Sequence, residues 1–136
     1  MPDPAPDQPL TVLAFDYGTK KIGVAIGNTL TRHARPLEIL RPKTRERRFA
    51  LIQDLLEHWG PDLVVVGLPL NTDGSDQYAT LQARRFGNQL HGRFGVQVQM
   101  VDERGSSMEA QARLGTNEPD DAMAAAVILQ RFLDAY

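Results

Sequence analysis

Two short apolar runs, Val12–Phe15 and Ile22–Ile26, flank the polar stretch Asp16-Tyr17-Gly18-Thr19-Lys20-Lys21, and this spacing constrains the chain more than any other feature. Each run is strand-sized and the connection contains a glycine, so the local reading is a β-hairpin. Side chains alternate along a strand, which puts Asp16 on the face of Ala14 and leaves Leu13 and Phe15 on the other. A carboxylate at the end of a buried strand costs desolvation energy unless a cation or hydrogen-bond donors satisfy it. Gly18, Thr19, Lys20 and Lys21 bring backbone N–H groups, a hydroxyl and two ammonium groups beside it, equipment that suits a metal ion and a phosphate. An Asx-turn with solvated lysines accounts for the same residues without chemistry. The remaining chain has to decide between them.

Downstream, Asn28–Arg35 reads as a polar loop and Pro36–Leu40 as a third short strand, giving an antiparallel meander. The period then changes. Phe49, Ile52, Leu55, Leu56 and Trp59 recur at helical spacing from about Lys43, and Gly60-Pro61 stops that helix. Leu63–Leu68 is a continuous apolar run, the mark of a strand buried on both faces. A loop with an Asp73-Gly74 turn leads to a second helix, capped by Ser75 or Asp76 and carrying Ala79, Ala83, Phe86 and Leu90 on one face, which Gly92–Gly95 ends. Alternation over Val96–Val101 predicts another strand running into Asp102-Glu103-Arg104. A short helix over Ser107–Leu114, a break at Gly115–Pro119 and a buried final helix over Ala122–Leu133, opened by Asp120-Asp121, complete the order. Met1–Pro9 reads as a disordered proline-rich leader, and residues 11–136 as one domain. A meander followed by βαβ crossovers predicts an α/β fold with a mixed five-stranded sheet and helices on both faces.

Composition narrows the chemistry. Cysteine is absent and His33, His58 and His91 fall in unrelated patterns, so a metal would be held by oxygen, which favours Mg²⁺ or Mn²⁺. No apolar run approaches the ~18 residues of a membrane span and no secretory signal is visible, while the absence of cysteine points to the cytoplasm. The net charge of −2 argues against a nucleic-acid binder, but its distribution is uneven. Arg32, Arg35, Arg41, Lys43, Arg45, Arg47 and Arg48 face only Glu38 and Glu46, whereas Asp102–Asp121 is acidic. Arginines in the first turn of a helix also work against its dipole, which a nearby anion would offset.

Sites in such a sheet gather at the carboxyl ends of the parallel strands. Asp16, Asp102-Glu103 and Asp121 all fall at that edge. Clustered carboxylates repel unless divalent cations lie between them, and two cations about 4 Å apart form the clamp used for in-line phosphodiester cleavage. Each acid also has a plainer role: Asp120 or Asp121 as a helix N-cap, Asp102-Glu103 as a strand end paired with Arg104. Strand alternation predicts that Glu103, not Asp102, turns toward Asp16.

Four blocks occur in order: Phe15-Asp16-Tyr17-Gly18-Thr19-Lys20-Lys21-Ile22-Gly23-Val24-Ala25, then Val65-Val66-Gly67-Leu68-Pro69-Leu70-Asn71 with Asp73-Gly74, then Val101-Asp102-Glu103-Arg104, then Asp121-Ala122-Met123-Ala124-Ala125. Together they resemble the YqgF (RuvX-like) family of Holliday-junction-resolvase-like nucleases, over nearly all of Val12–Leu133. The resemblance implies an RNase H-like fold and a cytoplasmic nuclease dependent on Mg²⁺ or Mn²⁺. Its substrate would be the 5′ end of precursor 16S ribosomal RNA or, alternatively, branched DNA. It implies Asp16, Glu103 and Asp121 as metal ligands, Lys20, Lys21 and Arg104 facing phosphate, and Asn71 beside the site. Arg45, Arg47 and Arg48 are expected to add substrate grip. Two departures stand out: Gly105-Ser106-Ser107 replaces a hydrophobic residue followed by hydroxyl residues, and Gly115–Pro119 is short and acidic where the family carries a longer basic loop. A non-cleaving nucleic-acid-binding module is one rival, separated by metal-dependent cleavage. An actin-like phosphotransferase is another, since Asp-Tyr-Gly-Thr also resembles its first phosphate turn; ATP binding separates it.

Overall fold

The hairpin lies at the centre of a sheet. In the computed structural model, which describes residues 8–104 and 121–136, strand β1 (Thr11–Tyr17) pairs antiparallel with β2 (Ile22–Asn28), and β2 with β3 (Ala34–Leu40). On its other side β1 pairs in parallel with β4 (Leu63–Leu68), and β4 with β5 (Val98–Asp102), giving the order β3-β2-β1-β4-β5. Helix α1 (Arg45–Trp59) connects β3 to β4, α2 (Tyr78–Phe94) connects β4 to β5, and α3 (Asp121–Ala135) closes the described chain. The expected strands and long helices are present. The helix expected over Ser107–Leu114, the Gly105 and Gly115–Pro119 departures and most of the leader lie outside the described residues.

Alternation sorts the sheet into two cores. Leu13, Phe15, Ile22, Val24, Val64 and Val66 pack with Phe49, Ile52 and Leu55 of α1 and with Ala83, Phe86 and Leu90 of α2. Val12, Ala14, Ala25 and Val65 pack on the opposite face with Ala125, Ala126, Leu129 and Leu133 of α3. Strands β1 and β4 are thus covered on both faces, as their unbroken apolar runs require. Each fully buried side chain of Leu, Ile or Phe size contributes roughly 1.5–3 kcal/mol by leaving water.

Local chemistry sets the boundaries, and some differ from the sequence reading. Thr44 caps α1 by accepting from Arg47 N–H at 3.1 Å, and Gly60, in the left-handed region at φ 53°, ends it. Helix α2 starts after Gln77, not Ser75 or Asp76: Gln77 N–H donates to Thr80 Oγ1 at 3.0 Å. Asp76 instead pairs with Arg84. Buried Thr80 takes the place expected of Ala79, which is exposed, because its hydroxyl donates to Pro69 O at 2.6 Å and ties the preceding loop to the helix. The helix also runs through Gly92 to Gly95, the αL cap. Strand β3 begins at Ala34, so the loop before it is shorter than expected. Pro36 is tolerated there because β3 is an edge strand and its pairing shifts between Val24 and Ala25.

Candidate active site

The carboxyl ends of β1, β4 and β5 lie side by side, and the register explains what meets there. Phe15 pairs with Val66 and Leu68 with Asp102; continuing the first ladder sets Asp16 beside Gly67. Glu103 N–H donates to Leu68 O at 3.0 Å, so the backbone stays laddered one residue past β5. Asp16 shares the α3 face with Val12 and Ala14; Glu103 shares it with Val101, which packs on the same core. Gly67 lies between the two acids, and a Cβ on it would run into the Glu103 carboxylate and into Ile128 Cδ1. The missing side chain is what lets Glu103 lean toward Asp16.

The result is a close carboxyl pair. Burial pushes the Glu103 carboxyl from its ordinary 4.5 up to about 8, and the charge of Asp16 and a hydrogen bond with it push the same way. Arg131 opposes this by its positive charge. Among the described residues Glu103 Oε2 is buried without a hydrogen-bond partner. An acid in that position either keeps its proton or takes a cation, and a donor set made only of carboxylate oxygens fits a hard divalent cation. Asp121 is the first residue of α3, the helix on this face of the sheet; its side chain lies outside the described set. Among the described residues no group of three or more acids or histidines gathers around one point.

Asp102 turns away, as alternation requires. It forms an ion pair with Arg104, whose Nη2 lies 2.6 Å from Asp102 Oδ2, and that bond holds the Asp102 carboxyl below the usual range. Arg104 Nη1 also donates to Thr72 O at 3.2 Å. Its guanidinium therefore spans β5 and the loop after β4, where a residue facing phosphate was expected. The amide of Asn71 closes its own loop by donating to Ser75 Oγ at 3.0 Å and to Asp76 O at 3.3 Å. Lys20, exposed, and Lys21, half-buried, sit in the turn from β1 to β2, next to Asp16. That turn is tight: a Cβ on Gly18 would meet Lys21 O at 2.6 Å.

The basic run Arg32–Arg48 does not form one patch. Arg35 lies over Trp59 near the start of β3, about 20 Å of strand from the Arg41 end. Arg45 and Arg48 sit on α1, on the face opposite the acid pair; Arg47, two residues from Arg45, points roughly 200° around the helix from it.

The sequence reading overlooked Arg131. On a largely apolar helix it donates through Nη1 to Asp102 O at 3.0 Å, fixing the peptide that carries Glu103. The signal was the pair Gln130-Arg131, which interrupts the apolar run of α3; Gln130 bonds Ala34 N–H and Arg32 O at the other end of the sheet.

Residues 10–135 match the family described as "RuvX: Holliday junction resolvase". The chain belongs to the RuvX family. A RuvX relative from Bordetella avium, named "Putative pre-16S rRNA nuclease", is 72% identical over 124 residues, covering 91% of this chain and 95% of its own. One of the same name from Burkholderia cenocepacia is 56% identical over 132 residues, covering 91% and 89%. Among solved structures, Thermus thermophilus RuvC in complex with a Holliday junction superposes with a TM-score of 0.57 at 19% identity, over 93% of this chain and 94% of that one. The fowlpox virus resolvase complexed with junction DNA gives 0.59 at 12% identity, over 93% and 98%. At those identities the likeness is one of fold: this RuvX chain has the RNase H-like fold of the resolvases.

Proposed function

We propose that this chain is a nuclease that hydrolyses phosphodiester bonds in the 5′-end processing of precursor 16S ribosomal RNA, with Mg²⁺ or Mn²⁺, two ions at full occupancy, held by Asp16, Glu103 and Asp121. One observation carries the reading: two carboxyl groups in contact at the carboxyl edge of the parallel strands, with Glu103 Oε2 buried and without a hydrogen-bond partner among the described residues. The name borne by relatives of nearly equal length supports the substrate. That substrate puts the enzyme in the cytoplasm; among the described residues no helix is long and apolar enough to cross a membrane.

Divalent cations bound there supply Lewis-acid stabilisation of charge on the phosphoryl oxygens and acidify water. The protein's own groups do the positioning. Gly67 leaves the space that Glu103 occupies, Arg131 fixes the peptide before it, and Asp16 closes the pair from β1. Lys20 and Lys21, in the adjoining turn, supply positive charge for the phosphate. The Asp102–Arg104 pair braces the loop after β4 and keeps the Asp102 carboxylate out of the site.

The test is cleavage of precursor 16S RNA and of a four-way DNA junction side by side, in Mg²⁺, Mn²⁺ and EDTA. The RNA is cut with either ion and not with EDTA. Asp16→Asn, which removes one anionic ligand at constant size, lowers the rate by orders of magnitude while RNA affinity holds or tightens. Cleavage in EDTA would remove the cations, preferential cutting of the junction would replace the substrate, and binding without cleavage of either would leave a non-cleaving module.

A further inference from the structure

On the sheet face away from the carboxyl pair, the gap between α1 and α2 holds a cavity of about 240 Å³ lined by Tyr17, Arg45, Arg48, Gln82, Arg85 and Gln89. Three guanidinium groups and two amides surround it, and among the described residues no carboxylate does. Gln82, Arg85 and Gln89 recur at helical spacing, so α2 presents one donor-rich stripe. Arg48 Nε is buried and has no hydrogen-bond partner among the described residues. Arg45 also borders a second cavity, of about 410 Å³, with Phe49, Arg93, Phe94 and Glu46 on its wall. The cleft therefore continues along both helices, with Arg93 4.0 Å over the Phe49 ring.

Electrostatics alone would disperse these cations. They repel one another, and Arg45 and Arg48 stand in the first turn of α1, where the helix dipole adds to the repulsion. An anion relieves both. Guanidinium forks and amide N–H groups match the geometry of phosphate oxygens. Tyr17, the one aromatic among the described residues that line the smaller cavity, is already covered: Phe86 stacks on it at 4.5 Å, and Arg48 lies 5.3 Å over its ring. No platform is left there for a base, so recognition falls on the backbone.

We infer that the α1–α2 cleft is a sequence-independent site for the phosphodiester backbone of RNA, gripping a segment that flanks the bond cut on the other face. This rests on the nuclease reading above for its substrate. The path is short: Asp16 and Tyr17 are consecutive and point to opposite faces, and the strand crosses the sheet edge past the turn that carries Lys20 and Lys21.

The experiment measures affinity for oligouridine and oligoadenosine against salt in EDTA, with melting recorded for every variant and Mg²⁺-dependent cleavage in parallel. Arg85→Ala, on the exposed surface of α2, and Arg48→Ala each weaken binding several-fold for both sequences. Each also reduces the slope of log affinity against log salt by roughly 0.7, the loss of one phosphate contact. Arg35→Ala, which removes the same charge at the far end of β3, keeps the parental slope. An Arg85→Ala slope equal to that of the parent overturns the site, as does an Arg35→Ala loss as large as that of Arg85→Ala. Displacement of RNA by inorganic phosphate well below the concentration at which chloride acts overturns the backbone assignment in favour of a small-anion site. A parent that cuts RNA beside a silent Arg85→Ala sinks the cleft alone. A parent that binds through the cleft and cuts nothing upholds it and sinks the nuclease reading.

Discussion

A carboxyl group shielded from water and set against another acid gives up its proton late, and Glu103 shows what this does to the fold. Its carboxyl titrates near 8 in the folded chain and near its ordinary 4.5 unfolded. Between those values the folded state holds the extra proton, so metal-free stability falls as pH rises from about 4.5 and levels off above about 8. Glu103→Gln removes the titration. Its melting curve should match the parent near pH 4.5 and lie above it at pH 8, by a few kcal/mol at most, and Mg²⁺ should raise the parent's melting temperature but scarcely the variant's. Identical pH profiles for the two proteins would contradict the assignment. Gly67 offers the matching steric test. Gly67→Ala forces the Glu103 carboxylate and Ile128 to move, at a cost of about 1–3 kcal/mol. Cleavage should fall further than stability does, read as rate at a temperature where the variant is still folded.

Elements were legible where one physical signal dominated. The unbroken run Leu63–Leu68 had to be covered on both faces, and the 3.6-residue period of Phe49, Ile52 and Leu55 had to face a sheet; both do. The start of α2 was misread because Ser75 and Asp76 are good caps by type, yet their side chains are taken by Asp73 within the loop and by Arg84 on α2. Thr80 then does work that no periodicity reveals, holding Pro69 O from inside the core. Thr80→Val keeps the shape and removes the hydroxyl, which leaves Pro69 O to Gln77 Nε2, 2.6 Å away, and takes the acceptor from Gln77 N–H, at a cost of about 0.5–1.5 kcal/mol in denaturant unfolding. A variant as stable as the parent would show that the Gln77 amide alone ties the loop to the helix. The pairing of Glu103 with Asp16 was legible from strand parity. Gly67 and Arg131 were not, because their roles depend on what stands across the ladder and across the helix–sheet interface.

For the molecule as a whole, β1 is the member that cannot change length. Asp16 faces α3 and Tyr17 faces α2 only because each is in phase with the residues before it, and the two cores are built on the same phase. One extra residue between Leu13 and Asp16 leaves a choice: keep the cores and exchange the two side chains between faces, or keep those side chains in place and turn Leu13 out of its core. Either way Tyr17 leaves Phe86 or the sheet loses its packing. An extra residue in the turn between β2 and β3, outside both cores, disturbs neither. A glycine inserted after Thr31 should leave melting and cleavage near parental values, whereas one inserted after Ala14 should abolish cleavage and lower the melting temperature by many degrees. Equal tolerance at both places would mean that the strand can bulge without consequence. The hairpin is thus a reading frame in three dimensions: the chain can gain or lose residues around it, but a single-residue insertion within β1 shifts the meaning of the rest.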